Sequence, residues 1–429
     1  MRVLQFPKDE KQVTRLFARA VANDPATEDA VRQVIEQVRR RGDRAVAALT
    51  KRFDKVTLHP SQFEIPAQRL REAWEGLPQP LQKALQTARE RIEAYHRKQL
   101  LKGFVYKDAL GNRMEQRVNP VRRAGVYAPG GRASYPSTVL MDIVPARVAG
   151  VDEVILLTPP GGLDSEGGRA VLGAAWLAGV DRVISVGGTP GVVGLALGTE
   201  TLPKVDIIVG PGNRFVATAK KLLYGEITID MVAGPSEVLV LADETASPVL
   251  VAADLLAQAE HDPDAQAIAV LIGDYDVAAL QREIRSQTAE LPRRAIIEQS
   301  LKAKGALIRV NSVEEALALA EQKAPEHLEL LIRDAQTLAR RVRNVGAVFV
   351  GPYTPESMGD YAAGPNHTLP TGGTARFFSP LSVWSFLKTS HVLECSKKGF
   401  EALAETVTTL ADAEGFGAHA AAVRRRLTR

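Results

Sequence analysis

Four short apolar runs between residues 118 and 236 each end in a glycine- or proline-rich turn. Gly125-Val126-Tyr127-Ala128 leads into Pro129-Gly130-Gly131, and Val154-Ile155-Leu156-Leu157-Thr158 into Pro159-Pro160-Gly161-Gly162. Val183-Ile184-Ser185-Val186 leads into Gly187-Gly188, and Val205-Asp206-Ile207-Ile208-Val209 into Gly210-Pro211-Gly212-Asn213. Helical patterns occupy residues 137–149, 167–179 and 213–224. β-Branched runs that leave through tight turns into helices predict βαβ units around a parallel sheet. Ligands of such sheets sit beyond the strand carboxyl ends, where these glycines lie.

A second alternating set follows. Val238 to Leu241, Ala267 to Ile272, Ala306 to Val310, His327 to Ile332 and Ala347 to Val350 read as strands. Residues 249–260, 276–291, 312–322 and 334–345 read as helices between them. Two related α/β modules are expected, without a residue-level repeat. Residues 1–105 read as mostly helical, with Val31, Val34, Ile35, Val38, Val46 and Leu49 at helical spacing over Asp29–Leu49. Pro66 to Leu100 reads as a second helical stretch, broken near Pro78-Gln79-Pro80. Ser396 to Ala411 and Ala418 to Leu427 are predicted helices of a C-terminal tail. The fold class is α/β: two Rossmann-like parallel-sheet modules, incomplete and lacking the standard dinucleotide fingerprint, plus small helical N- and C-terminal segments.

Composition excludes several classes. Lys plus Arg is 54 and Asp plus Glu is 50, a net charge of +4 over 429 residues. That is too mild to imply a nucleic-acid partner, and no basic block carries interleaved aromatics. Arg424-Arg425-Arg426 reads as a solvated helix face. The single cysteine, Cys395, excludes an internal disulfide framework and a cysteine-rich zinc site. The first residues are too charged for a secretion signal, and no segment approaches the roughly 20 apolar residues of a membrane span. A cytoplasmic protein without a membrane partner is expected.

Gly210-Pro211-Gly212-Asn213 opens a helix after an apolar strand, so its amides and helix N-terminus could receive a phosphate or carboxylate. The third glycine of G-x-G-x-x-G falls on Phe215, so this is not the dinucleotide fingerprint. Glycines that only satisfy tight turns fit equally well.

The chain has seven histidines, and four lie beside carboxylates or amides in punctuated polar segments. Gln258-Ala259-Glu260-His261-Asp262 ends an apolar helical run, with Gln258 and His261 on one face. Asp360 through Asn366-His367 is a Gly/Pro-punctuated loop. Glu326 and His327 are adjacent, so they point apart and hold different roles. Glu414 and His419 flank Gly415-Phe416-Gly417. If these segments converge they build a metal or acid–base site. Separately, each also reads as an exposed polar helix end or surface turn.

Several long motifs resemble those of the histidinol dehydrogenase family. They are Ala233-Gly234-Pro235-Ser236-Glu237-Val238, Gln258-Ala259-Glu260-His261, Pro325-Glu326-His327-Leu328, and Ser357 through Asp360 to His367 and Pro370. Gly125-Val126-Tyr127 with Pro129-Gly130-Gly131, and Gly210-Pro211-Gly212-Asn213, belong to the same pattern, which runs from about residue 25 to about 425. The resemblance implies oxidation of histidinol to histidine through histidinal with two NAD, one water and a zinc ion. It implies zinc ligands at Gln258, His261, Asp360 and His419, and acid–base chemistry at Glu326 and His327. It implies substrate contacts at Ser236, His367 and Glu414, besides the zinc ligands and His327, and NAD contacts at Tyr127 and Asn213. It implies a homodimer whose C-terminal arm completes the neighbour's site. The corresponding divisions are 1–25, an N-terminal helical segment; 26–120 with 237–378, a discontinuous catalytic α/β domain; 121–236, an α/β domain on the NAD side; and 379–429, a C-terminal helical arm.

One position departs from the family pattern. Thr189-Pro190 stands where the family carries an Ala-Gln pair whose glutamine contacts NAD. Proline offers neither a side-chain amide nor a backbone N–H. His327 is expected to act as a base near its ordinary pKa of ~6.5. Two other functions use similar residues: a zinc-dependent hydrolase, and a related NAD-dependent amino-alcohol dehydrogenase. A two-module binding protein also fits the α/β pattern.

Overall fold

The structure, a computed structural model, describes residues 1–18, 24–130 and 135–428. Residues 19–23 of the N-terminal segment and Gly131 of the first glycine turn lie outside the described residues. In chain order the strands are β1 Arg2–Gln5, β2 Glu64–Ile65, β3 Phe104–Lys107, β4 Arg113–Pro120, β5 Arg123–Tyr127, β6 Glu153–Thr158, β7 Arg182–Ser185 and β8 Ile207–Val209. They continue as β9 Thr228–Ile229, β10 Glu237–Ala242, β11 Gln266–Ile272, β12 Ala306–Val310, β13 His327–Leu331, β14 Ala347–Val350 and β15 Leu387–Glu394. The chain forms two compact units, Met1–Gln99 with Arg122–Phe386, and Leu100–Val121 with Leu387–Arg429.

The first unit holds two six-stranded sheets. One runs β1-β12-β11-β10-β13-β14 and is parallel throughout. The other runs β2-β7-β6-β5-β8-β9, parallel except for β2, which lies antiparallel to β7. Both wind outward from a central pair in the same way. β10 leads to β11 and β12 on one side and to β13 and β14 on the other, as β5 leads to β6 and β7, then to β8 and β9. The two-module reading therefore holds at the level of topology, and each sheet has a point where its winding reverses.

Side-chain alternation decides what faces what. In β10, Leu239 and Leu241 point into one apolar cluster, while Val238, Val240 and Ala242 point into the other. In β13, Leu328 and Leu330 share the first cluster. The period of two then puts His327 and Glu329 on the opposite face. That face is covered by the helix Pro248–Ala259 through Val251, Ala252, Leu255 and Leu256.

Differences from the sequence reading have local causes. Val3 and Leu4 lie in β1, which pairs with β12, so the N-terminal segment opens with a strand before its helix Glu10–Phe17. The helical stretch over Asp29–Leu49 breaks at Gly42, whose φ of 51° is a region few side chains adopt. A Cβ there would lie 2.2 Å from Glu200 Oε2, an oxygen that caps the next helix by accepting from Asp43 N–H at 2.9 Å. The two helices, Pro25–Arg41 and Asp43–Asp54, bury Val31, Val34, Val38, Val46 and Leu49 in one core with Ile155, Leu157 and Ile184 of the β5–β8 sheet. Residues 26–54, grouped above with 237–378, thus pack on the 121–236 sheet instead. The 334–345 helix is shorter, Ala335–Ala339, and a further helix, Arg294–Ala303, follows Val277–Glu290.

In the second unit β15, β4 and β3 form an antiparallel sheet, followed by the helices Lys397–Ala413 and Gly417–Leu427. The tail was read as helical only. Its one strand, β15, is mostly exposed and sets Leu387, Val392 and Leu393 among polar residues without apolar alternation.

Candidate active site

The catalytic candidates gather at the amino edge of the β10–β13 sheet. Ser236 precedes β10, and Glu326 and His327 stand at the start of β13. Helices of a parallel sheet run against the strands, so the carboxyl end of Pro248–Ala259 reaches this same edge and delivers Gln258 and His261. A helix carboxyl end carries partial negative charge, which favours a cation. The general expectation of a site at the strand carboxyl ends fails for this sheet. It holds for the other, whose β5 and β8 loops supply Pro129, Gly130, Gly212 and Asn213 to the same cleft of about 910 Å³.

Hydrogen bonding defines the state of His327. Its Nδ1 lies 3.1 Å from the Glu237 carbonyl and 3.3 Å from Gln258 Oε1, both acceptors, so Nδ1 carries the proton. Nε2 is buried and has no hydrogen-bond partner among the described residues, with Asp360 Oδ1 3.9 Å away. Burial pushes the ring down to about 3, against the opposing Glu237 hydrogen bond, rather than leaving it near its ordinary value. His327 is therefore neutral, with a lone pair at Nε2.

Glu326 is 5% exposed, and its Oε2 accepts from the Glu237 N–H at 2.9 Å. Burial raises its carboxyl well above the ordinary range, helped by Glu237 and Asp360 nearby. Asp360 is raised to about 6, mainly by burial, with His261 opposing. His261 is lowered by burial first, with the Asp360 charge opposing.

His261, Glu356 and Asp360 each offer a donor atom within 4.8 Å of the others. Glu356 is 1% exposed and neither of its oxygens has a hydrogen-bond partner among the described residues. Gln258 is fully buried, and its Nε2 also has no hydrogen-bond partner among the described residues. A nitrogen–oxygen donor set with orphaned buried carboxylate oxygens fits zinc or a similar divalent ion. The Gln258 oxygen keeps a second lone pair while accepting from His327.

His367 plays a different part from a free ligand. Nδ1 donates to the Asp360 carbonyl at 2.8 Å, and Nε2 lies 3.2 Å from Thr138 Oγ1. Both nitrogens are engaged, and burial pushes the ring down to about 4. It fixes the end of the Asp360 helix against the helix Pro136–Ala149. Glu414 and His419 belong to the second unit, where both are exposed.

A second cavity, of about 800 Å³, opens at the carboxyl edge of the β5–β8 sheet and is lined by Tyr127, Pro129, Gly130, Thr158, Pro190 and Asn213. Its volume suits a small-molecule cofactor, and Pro129, Gly130 and Asn213 also line the first cleft. Close backbone approach shapes it. A Cβ on Gly212 would lie 2.3 Å from Val216 Cγ1, and one on Gly188 would lie 2.8 Å from the Tyr127 hydroxyl. Asn213 caps the helix Arg214–Leu223, its oxygen accepting from Phe215 and Val216 N–H at 3.0 and 3.1 Å. Beneath this loop the buried Lys220 pairs with Asp230 and donates to the Gly210 carbonyl at 2.9 Å.

Sequence reasoning missed two site residues. Glu356 stands in a six-residue helix after a proline-rich loop, with no apolar periodicity to mark it. Asp54 ends the helix Asp43–Asp54, lines the cofactor-sized cavity and buries an unpartnered Oδ2. Its signal was equally absent, because Lys51-Arg52-Phe53-Asp54 reads as an ordinary charged helix end.

A doubly wound parallel fold, a cofactor-sized cavity and an adjoining cleft of buried acids and imidazoles have the form of an α/β enzyme site. The sequence profile described as histidinol dehydrogenase matches residues 17–427. A histidinol dehydrogenase of Methylococcus capsulatus is 47% identical over 97% of this chain and 95% of its own length. One from Acinetobacter baylyi is 46% identical over 96% of this chain and 95% of its own length. The crystal structure of histidinol dehydrogenase from Elizabethkingia anophelis superposes with a TM-score of 0.92 at 35% identity, covering 100% of this chain and 98% of that one. The chain belongs to the histidinol dehydrogenase family and is an oxidoreductase.

Proposed function

We propose that the chain oxidises L-histidinol to L-histidine by way of L-histidinal, using two NAD, one water and one zinc ion per subunit, as the last steps of histidine biosynthesis in the cytoplasm. The observation that carries this reading is the state of His327. Two acceptors hold the proton on Nδ1, which leaves Nε2 unpartnered beside the metal-capable cluster.

Gln258, His261 and Asp360 would hold the zinc ion, with His419 of the partner subunit completing the set. When bound, the ion orients the substrate oxygen and favours the carboxylate forms of Asp360 and Glu326. Tyr127 and Asn213 would hold NAD in the cavity that they line, where it would supply the hydride acceptor. The Asn213 oxygen is committed to its helix cap, so its amide N–H groups are the donors to NAD.

His327 Nε2 takes the alcohol proton while the Glu237 carbonyl keeps the ring in place. The imidazolium formed lies 3.8 Å from Glu326 and Glu356 oxygens and 3.9 Å from Asp360, carboxyl groups that stabilise it. Oxidation of the aldehyde needs a second oxygen on the carbon before another hydride can depart. Glu326 activates the water that supplies it, and His327 again takes a proton. Ser236, His367 and Glu414 complete the substrate contacts, His367 by holding the Asp360 segment. Large exposed side chains of the C-terminal arm, including Leu403, Leu410 and Phe416, support docking on a second copy as a homodimer.

The test is incubation with zinc, NAD and histidinol, following absorbance of NADH. Two NADH per histidinol consumed, with histidine as product, is the expected result. Turnover without NAD would favour a zinc hydrolase. NADH formation from other amino alcohols but not histidinol would favour the related dehydrogenase.

A further inference from the structure

One buried ion pair grips Gly210 from both sides. The Gly210 N–H donates to Asp230 Oδ2 at 2.8 Å, and the Gly210 carbonyl accepts from Lys220 Nζ at 2.9 Å. Lys220 Nζ also pairs with Asp230 Oδ1, which accepts from Met231 N–H at 2.6 Å. The two side chains are 2% and 1% exposed. Lys220 comes from the helix Arg214–Leu223 and Asp230 directly follows β9, so the pair ties together two elements beside the loop that leaves β8. The backbone at the loop's start has little room to move. Gly210 has a φ of 103°, a region open to glycine. A Cβ there would lie 2.2 Å from the Tyr127 carbonyl oxygen and 2.9 Å from Asp142 Oδ2. Asp142 also faces the ion pair.

The loop held this way stands where the two cavities meet. Asn213 lines both, and Pro211, Gly212, Asp230 and Met231 line the acid–base cleft. Asn213 also caps the helix that carries Lys220, so loop and helix are fastened to each other at two points. A buried ion pair adds little net stability, because its attraction only about offsets the desolvation of both charges. The bonds of this pair to the Gly210 and Met231 peptides instead specify a position for the loop.

We propose that Lys220 and Asp230 are positioning residues for NAD: by gripping Gly210 they fix the loop 210–213, and with it the Asn213 side chain, against the cofactor. This rests on the NAD reading above. Lys220 lies beneath the loop and acts through Asn213.

The test is NAD binding to the zinc-loaded protein, measured by titration calorimetry without histidinol, beside zinc content and the KM values for NAD and histidinol. The double variant Lys220→Met/Asp230→Asn removes both charges together, so neither is left buried and unpaired. It should fold and bind NAD about 10-fold more weakly, the scale of one lost hydrogen bond to a charged group. KM for NAD should rise by the same factor, with zinc content and KM for histidinol unchanged. Lys220→Arg, which keeps the cation, should bind NAD more tightly than the double variant. If the double variant does not fold, Asp230→Asn is measured in its place. There the ammonium keeps its bond to Gly210, and NAD binding should weaken by a smaller factor. Wild-type NAD affinity in the folded variant overturns the proposal, and a lower urea midpoint beside it would mark the pair as structural only. Parallel losses of NAD affinity, zinc content and histidinol KM also overturn it, by showing a general loosening of the fold. Absence of NAD binding and of NADH formation in the wild type would instead sink the NAD reading itself.

Discussion

His327 Nδ1 donates to the backbone carbonyl of Glu237 at 3.1 Å, and the N–H of the same Glu237 donates to Glu326 Oε2 at 2.9 Å. One peptide segment at the start of β10 therefore orients both acid–base candidates. Glu237 is itself fixed, because its side chain pairs with the buried Lys323 and accepts from Gly372 N–H at 3.1 Å. The roles proposed above for these two side chains have opposite protonation needs. His327 must be neutral to accept a proton, whereas Glu326 must lose one to activate water.

That asymmetry separates the two half-reactions. Glu326→Gln keeps the Glu237 hydrogen bond but cannot take a proton from water. Its rate on histidinal should fall by about 100-fold or more, the usual scale for losing a general base, while histidinol oxidation to the aldehyde falls far less. His327→Asn should depress both. Single-turnover NADH formation from each substrate measures this, and equal losses in Glu326→Gln would remove Glu326 from the water step.

Pro190 is the third residue of the helix Gly188–Leu197, where a backbone N–H has no helical acceptor. The proline therefore costs the helix nothing, but it presents no donor to the cavity it lines. Pro190→Gln adds one amide. A single neutral hydrogen bond contributes about 0.5–1.5 kcal/mol, so KM for NAD should fall by about 2- to 10-fold with kcat little changed. An unchanged KM would show that position 190 does not meet the cofactor.

Much of this architecture was legible because its signals are local. Strands β10 to β14 fell within a residue or two of their expected places, since continuous apolar runs bounded by turns suit doubly covered parallel strands. The break at Gly42 was not, because helical spacing on both sides runs through it while its cause, contact with Glu200, is distant in sequence. His261, Glu326, His327 and Asp360 were visible as polar residues in punctuated segments. Their meeting at a strand amino edge was not, since it follows from which end of the covering helix carries Gln258. Glu356 and Asp54 were silent for the same reason: their burial comes from tertiary packing, and nothing in their own segments marks it.

Asp142 sets a pH dependence of stability. It is fully buried in the helix Pro136–Ala149, with Thr368 Oγ1 donating to Oδ1 at 2.7 Å and Oδ2 unpartnered among the described residues. Burial raises its carboxyl to about 8, while in the unfolded chain it titrates near ~3.9. The folded protein binds the extra proton across that interval. Its stabilising share is complete below about pH 4 and declines by about 1.4 kcal/mol per pH unit until about pH 8. Asp142→Asn stays neutral and should remove that slope, so its urea midpoint should gain on the wild type as pH rises from 5 to 8. Parallel midpoint curves for the two proteins would show that Asp142 does not carry the effect.

Cys395 is exposed in the second unit. Aldehyde oxidation through a thiohemiacetal would need it, as the chain has no other thiol. Cys395→Ala should keep both half-reactions and full zinc content. Loss of histidinal oxidation alone, with folding intact, would replace the water route by a covalent one.

A shared site makes the strongest demand on assembly. His261 lies in the first unit at the end of the Pro248–Ala259 helix, and His419 lies on the exposed arm helix Gly417–Leu427. If the arm of one subunit completes the cleft of the other, two defective chains can repair each other. His261→Asn and His419→Asn homodimers should each lose most activity. After subunit exchange, half of the dimers in an equal mixture are mixed. One site of each mixed dimer then has both wild-type histidines. About a quarter of all sites should be intact, so activity should recover toward about one quarter of wild type, as random pairing at symmetric interfaces dictates. Exchange is verified by mass labels on the two chains. No recovery after verified exchange would place His419 in the cleft of its own chain.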